Sequence, residues 1–518
     1  MSNRYLRQQG IVDQKALSRL KVLVSGSSNG IADILVLLDQ LGISSKDGKI
    51  GIYPEEEANP NTVFWNLAFS ETPTFQALCL NQPEKFILVK DLSSTKNWDI
   101  HLSINGSINL PNTIYGRVIG PRALVSMNPI SKRGNSLSDH PLTPSLRIVC
   151  CSAIIERMMR FLGMTNKLVV SDAWVTATYR IETTDLERAS DIVHAKGLED
   201  VSVNFQPSSD GLATLARIRL PQNPHINPFD YLSVSKEATE ELADLDVGLI
   251  PWNDTDSLLN QVFNIEQKDV VVLGAGGLGS WCAPLVLQML PSGQIHIVDS
   301  DEQIEVHNLN RQVLYSEQHI GQAKAEIAKQ RLSRINPNVQ IHGYIEHLLP
   351  GHVNQESWDD QEELLVDDLD DEIEAFLSEA LQSSTLYFAC LDNMKARTLL
   401  NEAALLYNAD FINGGSESIH GIVERMSNEE GCMVCRYGKE TANEVEVVSC
   451  TEEGVRPIAS IATTTAWAGA MMAAIGLVQS SCFNETVLPR FQWHKGSVQR
   501  MMTGSKPPWM DEPCLRHI

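Results

Sequence analysis

Positive charge is in short supply in this chain. Its 518 residues hold 41 lysines and arginines against 65 acidic side chains, a formal net charge of −24. That balance argues against binding nucleic acid or an anionic membrane surface, and it suits a partner with a basic face. Cysteine is sparse as well, with ten residues scattered along the chain. Such scatter is not a disulfide framework. No signal peptide opens the sequence, so the expectation is a cytoplasmic protein with reduced thiols. Long apolar runs are also missing. Residues 457–484 carry no charge, but they are mostly Ala, Thr, Gly and Ser, too weakly apolar for a membrane span. Small residues at helical spacing predict a buried helix in close contact with another helix.

A chain of this length can hold two or three domains. Strands alternating with helices predict an α/β unit over residues 1–185 and another over 253–518. Between them, 186–252 reads as a small α+β segment and helical linker. It runs helix (LERASDIVHAKGL), strand (VSVNFQP), turn (SSDG), strand (LATLARIRL), then a Pro/Asn-rich break, PQNPHINP. Residues 355–380 are dense in acid with partly helical apolar spacing. They read as a solvated amphipathic helix, with a docking surface for a basic partner as the alternative.

The most informative segment starts at Val270, with VVVLGAGGLGSW. An apolar strand runs into Gly274, Gly276, Gly277 and Gly279, and a helical pattern follows. Glycines let the backbone approach a phosphate, and the helix start behind them offers free N–H groups. Asp299, in HIVDSD with Asp301, stands at the spacing of a ribose acceptor. Alone this fits any dinucleotide or ATP site, or a turn with no ligand. The next residues tilt the choice to ATP. Asn308, Arg311 and Gln312 follow in NLNRQ, Lys324 in GQAK, and Asp392 ends the strand LYFACLD. Two cations can neutralise a triphosphate, and a carboxylate at a strand end can hold Mg²⁺.

GAGGLG, VDSD, NLNRQ, GQAK and CLDN in this order resemble ubiquitin-activating enzymes. They equally resemble the bacterial relatives that activate sulfur-carrier proteins for thiamin and molybdopterin synthesis. The resemblance covers roughly residues 255 to 518. It implies an α/β fold of two Rossmann-like adenylation domains forming a pseudo-dimer, the first degenerate and the second active. It implies that Asp299 holds the ribose, that Asn308, Arg311, Gln312 and Lys324 surround the phosphates, and that Asp392 holds Mg²⁺. The implied reaction is adenylation of a protein's C-terminal carboxylate.

The start of the chain reads as a damaged twin. In KVLVSGSSNGIADILVLL, from Lys21, Ser25, Ser27 and Ser28 align with Gly274, Gly276 and Gly277, and only Gly30 matches Gly279. Pro54 takes the place of Asp299, and no second NLNRQ follows. The run SLRIVCCSAIIERMMRFLGM matches the late helix IASIATTTAWAGAMMAAIGLV in position, a weak internal repeat. In the family, the arginine of an opening R-Y-x-R-Q reaches across to the partner's ATP. Only the first half keeps that opening, as Arg4-Tyr5-Leu6-Arg7-Gln8. Arg7 is therefore the candidate for an arginine lent to the second site, against the plain reading of a surface arginine on a helix.

Cys432-Met-Val-Cys435 and Cys514-Leu-Arg-His517 have the paired spacing of a tetrahedral structural zinc site. The alternative is unpaired thiols beside a frayed terminus. Cys450, in SCTEEGV before the chargeless helix, matches the position at which the relatives form a covalent bond to the activated protein. A thiolate near a helix start is the stronger nucleophile, although Glu452 and Glu453 oppose that effect and Arg456 offsets them. The full expectation is ATP-dependent, Mg²⁺-assisted adenylation of a ubiquitin-like protein ending in glycine. Thioester formation on Cys450 and transfer to a conjugating-enzyme-like protein or a sulfur donor would follow. A further homodimer is compatible with the pseudo-dimer inside the chain. Peptide adenylation in natural-product biosynthesis and a non-catalytic nucleotide-binding scaffold are the competing readings. A dehydrogenase gives the phosphate cations no role.

Overall fold

A computed structural model describes residues 3–8, 11–56, 58–92, 98–130, 140–164, 170–171, 174–181, 183–194, 202–207, 214–221, 245–249, 268–349, 371–426, 432–433, 460–478, 487–494 and 497–502. Each half of the chain builds an α/β sheet on the same plan. The first sheet holds β1 (Lys21–Gly26), β2 (Lys49–Pro54), β3 (Phe86–Leu88), β4 (Ile100–Ile104), β5 (Thr113–Ile119), β6 (Arg122–Ser126) and β11 (Leu245–Asp246). Its order is β3-β2-β1-β4-β5-β6-β11. Strands β3 through β5 run parallel, and β6 and β11 add antiparallel edges.

The second sheet holds β12 (Val270–Leu273), β13 (Gly293–Val298), β14 (Val339–Tyr344), β15 (Leu386–Ala389), β16 (Asp410–Glu417), β17 (His420–Met426), β18 (Val487–His494) and β19 (Ser497–Met502). Its order is β14-β13-β12-β15-β16-β17-β18-β19, parallel as far as β16 and antiparallel beyond it. In both halves the opening strand sits where the strand order reverses. A doubly wound sheet opens its ligand crevice there, at the strand's carboxyl end. Strand β12 shows why: Val270, Val271, Val272 and Leu273 are all fully buried between two parallel neighbours, so this run can only be a central strand.

Helices α1 (Gln14–Leu17), α2 (Ser28–Gln40), α3 (Val63–Ala68), α4 (Phe75–Asn81) and α5 (Thr143–Phe161) accompany the first sheet. After α6 (Leu186–His194), the second sheet has α7 (Gly279–Met289), α8 (Lys324–Leu332), α9 (Asp371–Ser383), α10 (Met394–Leu406) and α11 (Ala462–Leu477). Helix α11 is the middle of the chargeless run, and every residue of the helix is buried. Among the described residues no helix is long and apolar enough to cross a membrane.

The small α+β segment has its own sheet, but that sheet starts earlier than residue 186. It holds β7 (Val170–Ser171), β8 (Trp174–Ile181), β9 (Ser202–Pro207) and β10 (Thr214–Pro221), in the order β7-β8-β10-β9. Antiparallel pairing from Trp174↔Pro221 to Ile181↔Thr214 draws β8 into it. Residues Leu245–Asp246, expected in a linker, instead pair with β6 and extend the first sheet.

The two halves pack directly on each other. Helix α5 lies against α11, the pair that sequence position had matched. There Thr463 donates its hydroxyl to Glu156 Oε1 at 3.0 Å, with both side chains buried. A hydrogen bond to a buried charge contributes about 1.5–3 kcal/mol. Phe64 of α3 packs on Trp281 of α7 with ring centroids 4.7 Å apart. Such a pair adds about 0.5–1.5 kcal/mol beyond its area. Arg331 of α8 donates to the carbonyl of Leu67 in the first half.

Candidate active site

Gly274 follows strand β12 directly, and its φ is +90°. A Cβ there would sit 2.4 Å from the carbonyl oxygen of Cys390, so the turn requires glycine. The chain then takes five residues to reach the start of α7 at Gly279. Over Gly276 the space is open, and the nearest atom to a Cβ would be Gln312 Nε2 at 3.7 Å. The acceptor Oε1 of Gln312 is buried and has no partner among the described residues. A ligand with a donor group or bridging water would satisfy it.

Asp299, just past β13, ties this turn in place. Its Oδ2 accepts from Ala275 N at 2.6 Å and its Oδ1 from Asp301 N at 2.9 Å. Burial raises the Asp299 carboxyl above the usual range, and the Lys324 ammonium opposes that rise. Each carboxylate oxygen retains a lone pair for a further donor. Lys324 begins α8, pairs with Asp301 through its ammonium, and donates its N–H to the Asp301 carbonyl at 3.1 Å. Tyr315 donates to the carbonyl of Ala275 at 2.8 Å, and burial pushes its hydroxyl well up.

The NLNRQ segment folds around a 3-10 turn, Val306–Asn308. The carbonyl of Asn308 takes the N–H groups of Arg311 and Gln312, at 3.2 and 3.1 Å. Arg311 donates to the His307 carbonyl at 3.0 Å and to Asn310 Oδ1 at 2.9 Å. Its own carbonyl accepts from Trp281 Nε1 at 2.8 Å. Its Nε lies 3.6 Å from where a Cβ on Gly277 would be, so the guanidinium passes over the glycine turn.

Arg7 meets this cluster from the first half. It is buried, and its Nη2 lies 3.4 Å from His307 Nε2. The segment that carries it is held by the second half at its C-terminal end. Ser460 N donates to the Arg7 carbonyl at 2.8 Å, and Asn310 Nδ2 donates to Gln8 Oε1 at 3.3 Å. Burial lowers the pKa of the His307 imidazole, the Glu305 carboxylate opposes that, and the charges of Arg7, Arg311 and Lys324 add to it. Asp392 stands exposed beyond β15, two residues after the Cys390 that closes on Gly274, and no side chain among the described residues pairs with it. A free carboxylate of this kind suits a hard divalent cation that keeps most of its ligands from elsewhere.

The corresponding turn of the first half is closed. Gly26 stands in the place of Gly274, because it too has a positive φ at the end of its strand, +120°. A Cβ on it would meet the Ile104 carbonyl at 1.9 Å, as one on Gly274 would meet Cys390. The alignment of Ser25 with Gly274 is therefore off by one residue. Pro54 does lie opposite Gly26, in the place of Asp299. The helix begins at Ser28, two residues after Gly26, so the loop that could cradle a phosphate is missing. Glu56 Oε1 accepts from Ser28 N at 2.8 Å, and Glu55 Oε2 accepts from Ser107 N at 2.7 Å. The chain's own carboxylate occupies the helix start that an anion would use.

Other expected site residues are not brought into view. Cys450, Cys435, Cys514 and His517, with Glu452, Glu453 and Arg456, lie outside the described residues. Cys432 is described and buried. Among the described residues no group of His, Cys, Asp and Glu is placed to hold a metal ion. His307, Asn310, Tyr315 and Trp281 had not been singled out as site residues. Asn310 and His307 lie in or beside NLNRQ, whereas no spacing signal marks Tyr315 or Trp281.

Comparison with known proteins agrees with this geometry. Residues 258–505 match the ThiF family model. Over 202 residues the chain is 31% identical to the adenylyltransferase and sulfurtransferase UBA4 of Meyerozyma guilliermondii, covering 38% of this chain and 41% of that protein. Over 221 residues it is 29% identical to the sulfur carrier protein adenylyltransferase of Thermus thermophilus, covering 41% and 69%. A solved structure of E. coli MccB with ATP is 20% identical over 48% of this chain and 67% of that one, with a TM-score of 0.32. The chain thus spans less than half the length of the first of these relatives. Its second half resembles the ThiF family and the adenylyltransferases named above.

Proposed function

We propose that the second half binds ATP and adenylates the C-terminal carboxylate of a small ubiquitin-like or sulfur-carrier protein. One observation carries this reading: Arg311 passes over an open glycine turn whose rim is held by Asp299, Lys324 pairs with Asp301 beside that rim, and Arg7 reaches His307 next to the Arg311 segment. A nicotinamide cofactor, with only a diphosphate bridge, would carry less charge for these cations to neutralise. A triphosphate would give them charge to neutralise.

Asp299 accepts the ribose hydroxyls, and the turn at Gly276 and Gly277 admits the phosphates. Asn308 and Gln312 line the same pocket. The carrier's carboxylate oxygen attacks the α-phosphorus, the bond to the bridging oxygen breaks, and pyrophosphate leaves. Arg311, Lys324 and Arg7 spread the charge that grows on that leaving group, and positioning supplies most of the rate. Asp392 would hold Mg²⁺, which would supply further charge neutralisation. The acyl adenylate that results is a mixed anhydride. Cys450 attacks its carbonyl and releases AMP, giving a thioester for a conjugating-enzyme-like protein or a sulfur donor. Zinc on Cys432, Cys435, Cys514 and His517 would pin the C-terminal tail.

The test uses the full chain with ATP, Mg²⁺ and small proteins ending in Gly-Gly. Pyrophosphate exchange that depends on the carrier is expected. A thiol-sensitive adduct that is lost in Cys450→Ala, with exchange retained, supports the thioester step. An adduct that persists in that variant contradicts the step. Full product formation without Cys450 points to peptide adenylation, and no exchange with any carrier points to a scaffold.

A further inference from the structure

We infer that Tyr315 is a positioning residue for the phosphates: by holding the Ala275 carbonyl, its hydroxyl turns the Gly276 N–H outward as a phosphate donor. The inference rests on the ATP-binding reading above and deepens it. Tyr315 is buried, and its hydroxyl donates to the Ala275 carbonyl at 2.8 Å. The peptide between Ala275 and Gly276 is trans. In a trans peptide the C=O and the N–H point in opposite directions. The Gly276 N–H therefore faces away from the buried phenol.

The rest of the turn is fixed in the same manner, one peptide at a time. Asp299 Oδ2 holds the Ala275 N–H at 2.6 Å. Ser280 donates its N–H to the Gly276 carbonyl at 3.1 Å and its hydroxyl to the Gly277 carbonyl at 3.3 Å. The Ala275–Gly276 peptide depends on Tyr315, a side chain three residues past Gln312. Among the described residues no hydrogen bond uses the N–H of Gly276 or of Gly277. Backbone donors left over just before a helix are the groups that take a phosphate. Space is open over Gly276, where the nearest atom to a Cβ would be 3.7 Å away.

The same hydroxyl lies 3.3 Å from the Lys324 carbonyl at the start of α8. One phenol thus spans the glycine turn and the residue whose ammonium pairs with Asp301. It has a single hydrogen, and the shorter distance assigns that hydrogen to Ala275. Burial pushes the hydroxyl well up, the charges of Asp299 and Asp301 add to that, and Arg331 opposes them, so the group stays a donor. Phenylalanine would fill the same buried space, so the role belongs to the hydroxyl and not to the ring.

Calorimetry on the full chain with Mg²⁺ compares ATP with adenosine, which lacks the phosphates. Thermal melts check that each variant is folded. Tyr315→Phe is expected to weaken ATP by about tenfold, the size of one hydrogen bond to a charged group, and to leave adenosine unchanged. ATP binding unchanged in the variant, or an equal loss for both ligands, would overturn the inference. The amide itself gives a second test that needs no Tyr315 variant. In wild type carrying isotope-labelled glycine, ATP and not adenosine should move the Gly276 amide resonance in the NMR spectrum. That resonance is identified by its disappearance in Gly276→Ala, and in Tyr315→Phe its shift should shrink. A Gly276 resonance that ATP leaves in place would overturn the inference whether or not Tyr315→Phe folds. A wild type that binds no ATP would overturn the ATP-binding reading as well, whereas a variant that binds ATP as the wild type does would overturn this inference alone.

Discussion

The two opening turns of this molecule share a sheet order but end differently. In the first half, Gly26 is followed within two residues by the helix, and Glu56 caps that helix start. In the second, Gly274 is followed by a five-residue approach to the helix, and Asp299 holds the rim. Both keep a positive-φ glycine pressed against the carbonyl of the neighbouring strand. The fold therefore demands that glycine, whether or not a phosphate is bound. Loop length and the balance of charge separate the two turns. The first half brings Glu55 and Glu56 to its turn, whereas the second sets Arg311 and Lys324 against Asp299 and Asp301.

The largest effect expected from breaking this contrast is on the cationic side. Lys324→Ala should lower pyrophosphate exchange by about 10²- to 10³-fold, the loss typical of one transition-state charge partner. An unchanged rate would mean that the cluster is structural.

Acid should strain both halves alike. His101 in the first half and His296 in the second are buried, and burial lowers each to about 4. Below the ordinary histidine value of 6.5, the unfolded chain takes up protons that the native chain refuses. Stability then falls as pH drops from about 6.5 to 4, by roughly 3 kcal/mol for each group. Chemical denaturation at stepped pH checks this, and His101→Gln should flatten the curve by one group's share. An identical slope in that variant would remove His101 from the explanation.

Asp299→Asn should raise the KM for ATP about ten- to a hundredfold with kcat largely kept, because a charged acceptor for the ribose is lost. The smallest effect belongs to the closed turn. Glu56→Gln should leave exchange untouched and cost about 1 kcal/mol of stability, the value of a helix cap. A fall in exchange would make the first turn a working part of the site.

Within the candidate site, Asp299, Arg311 and Lys324 could be picked out because they follow the Gly274 turn in a fixed order along one stretch. The matching of the two late helices also survives as the α5–α11 contact. Elsewhere the sequence misled. Ser25, Gly26, Ser27 and Ser28 offer two registers, and only the backbone shows that Gly26 carries the turn. Glu56 as a cap depends on where β2 ends relative to β1, a long-range fact. Tyr315 gains meaning only beside Ala275, which is 40 positions away. Strand β8 reads as well for one sheet as for another until its partner β10 is known.

The stoichiometry of ATP binding to the full chain tests most directly the claim that one turn binds and the other does not. Calorimetry should find one ATP per chain, unaffected by Glu56→Gln and strongly weakened by Lys324→Ala. Two ATP per chain, or a single site that survives Lys324→Ala and is lost on changing the first turn, would contradict it.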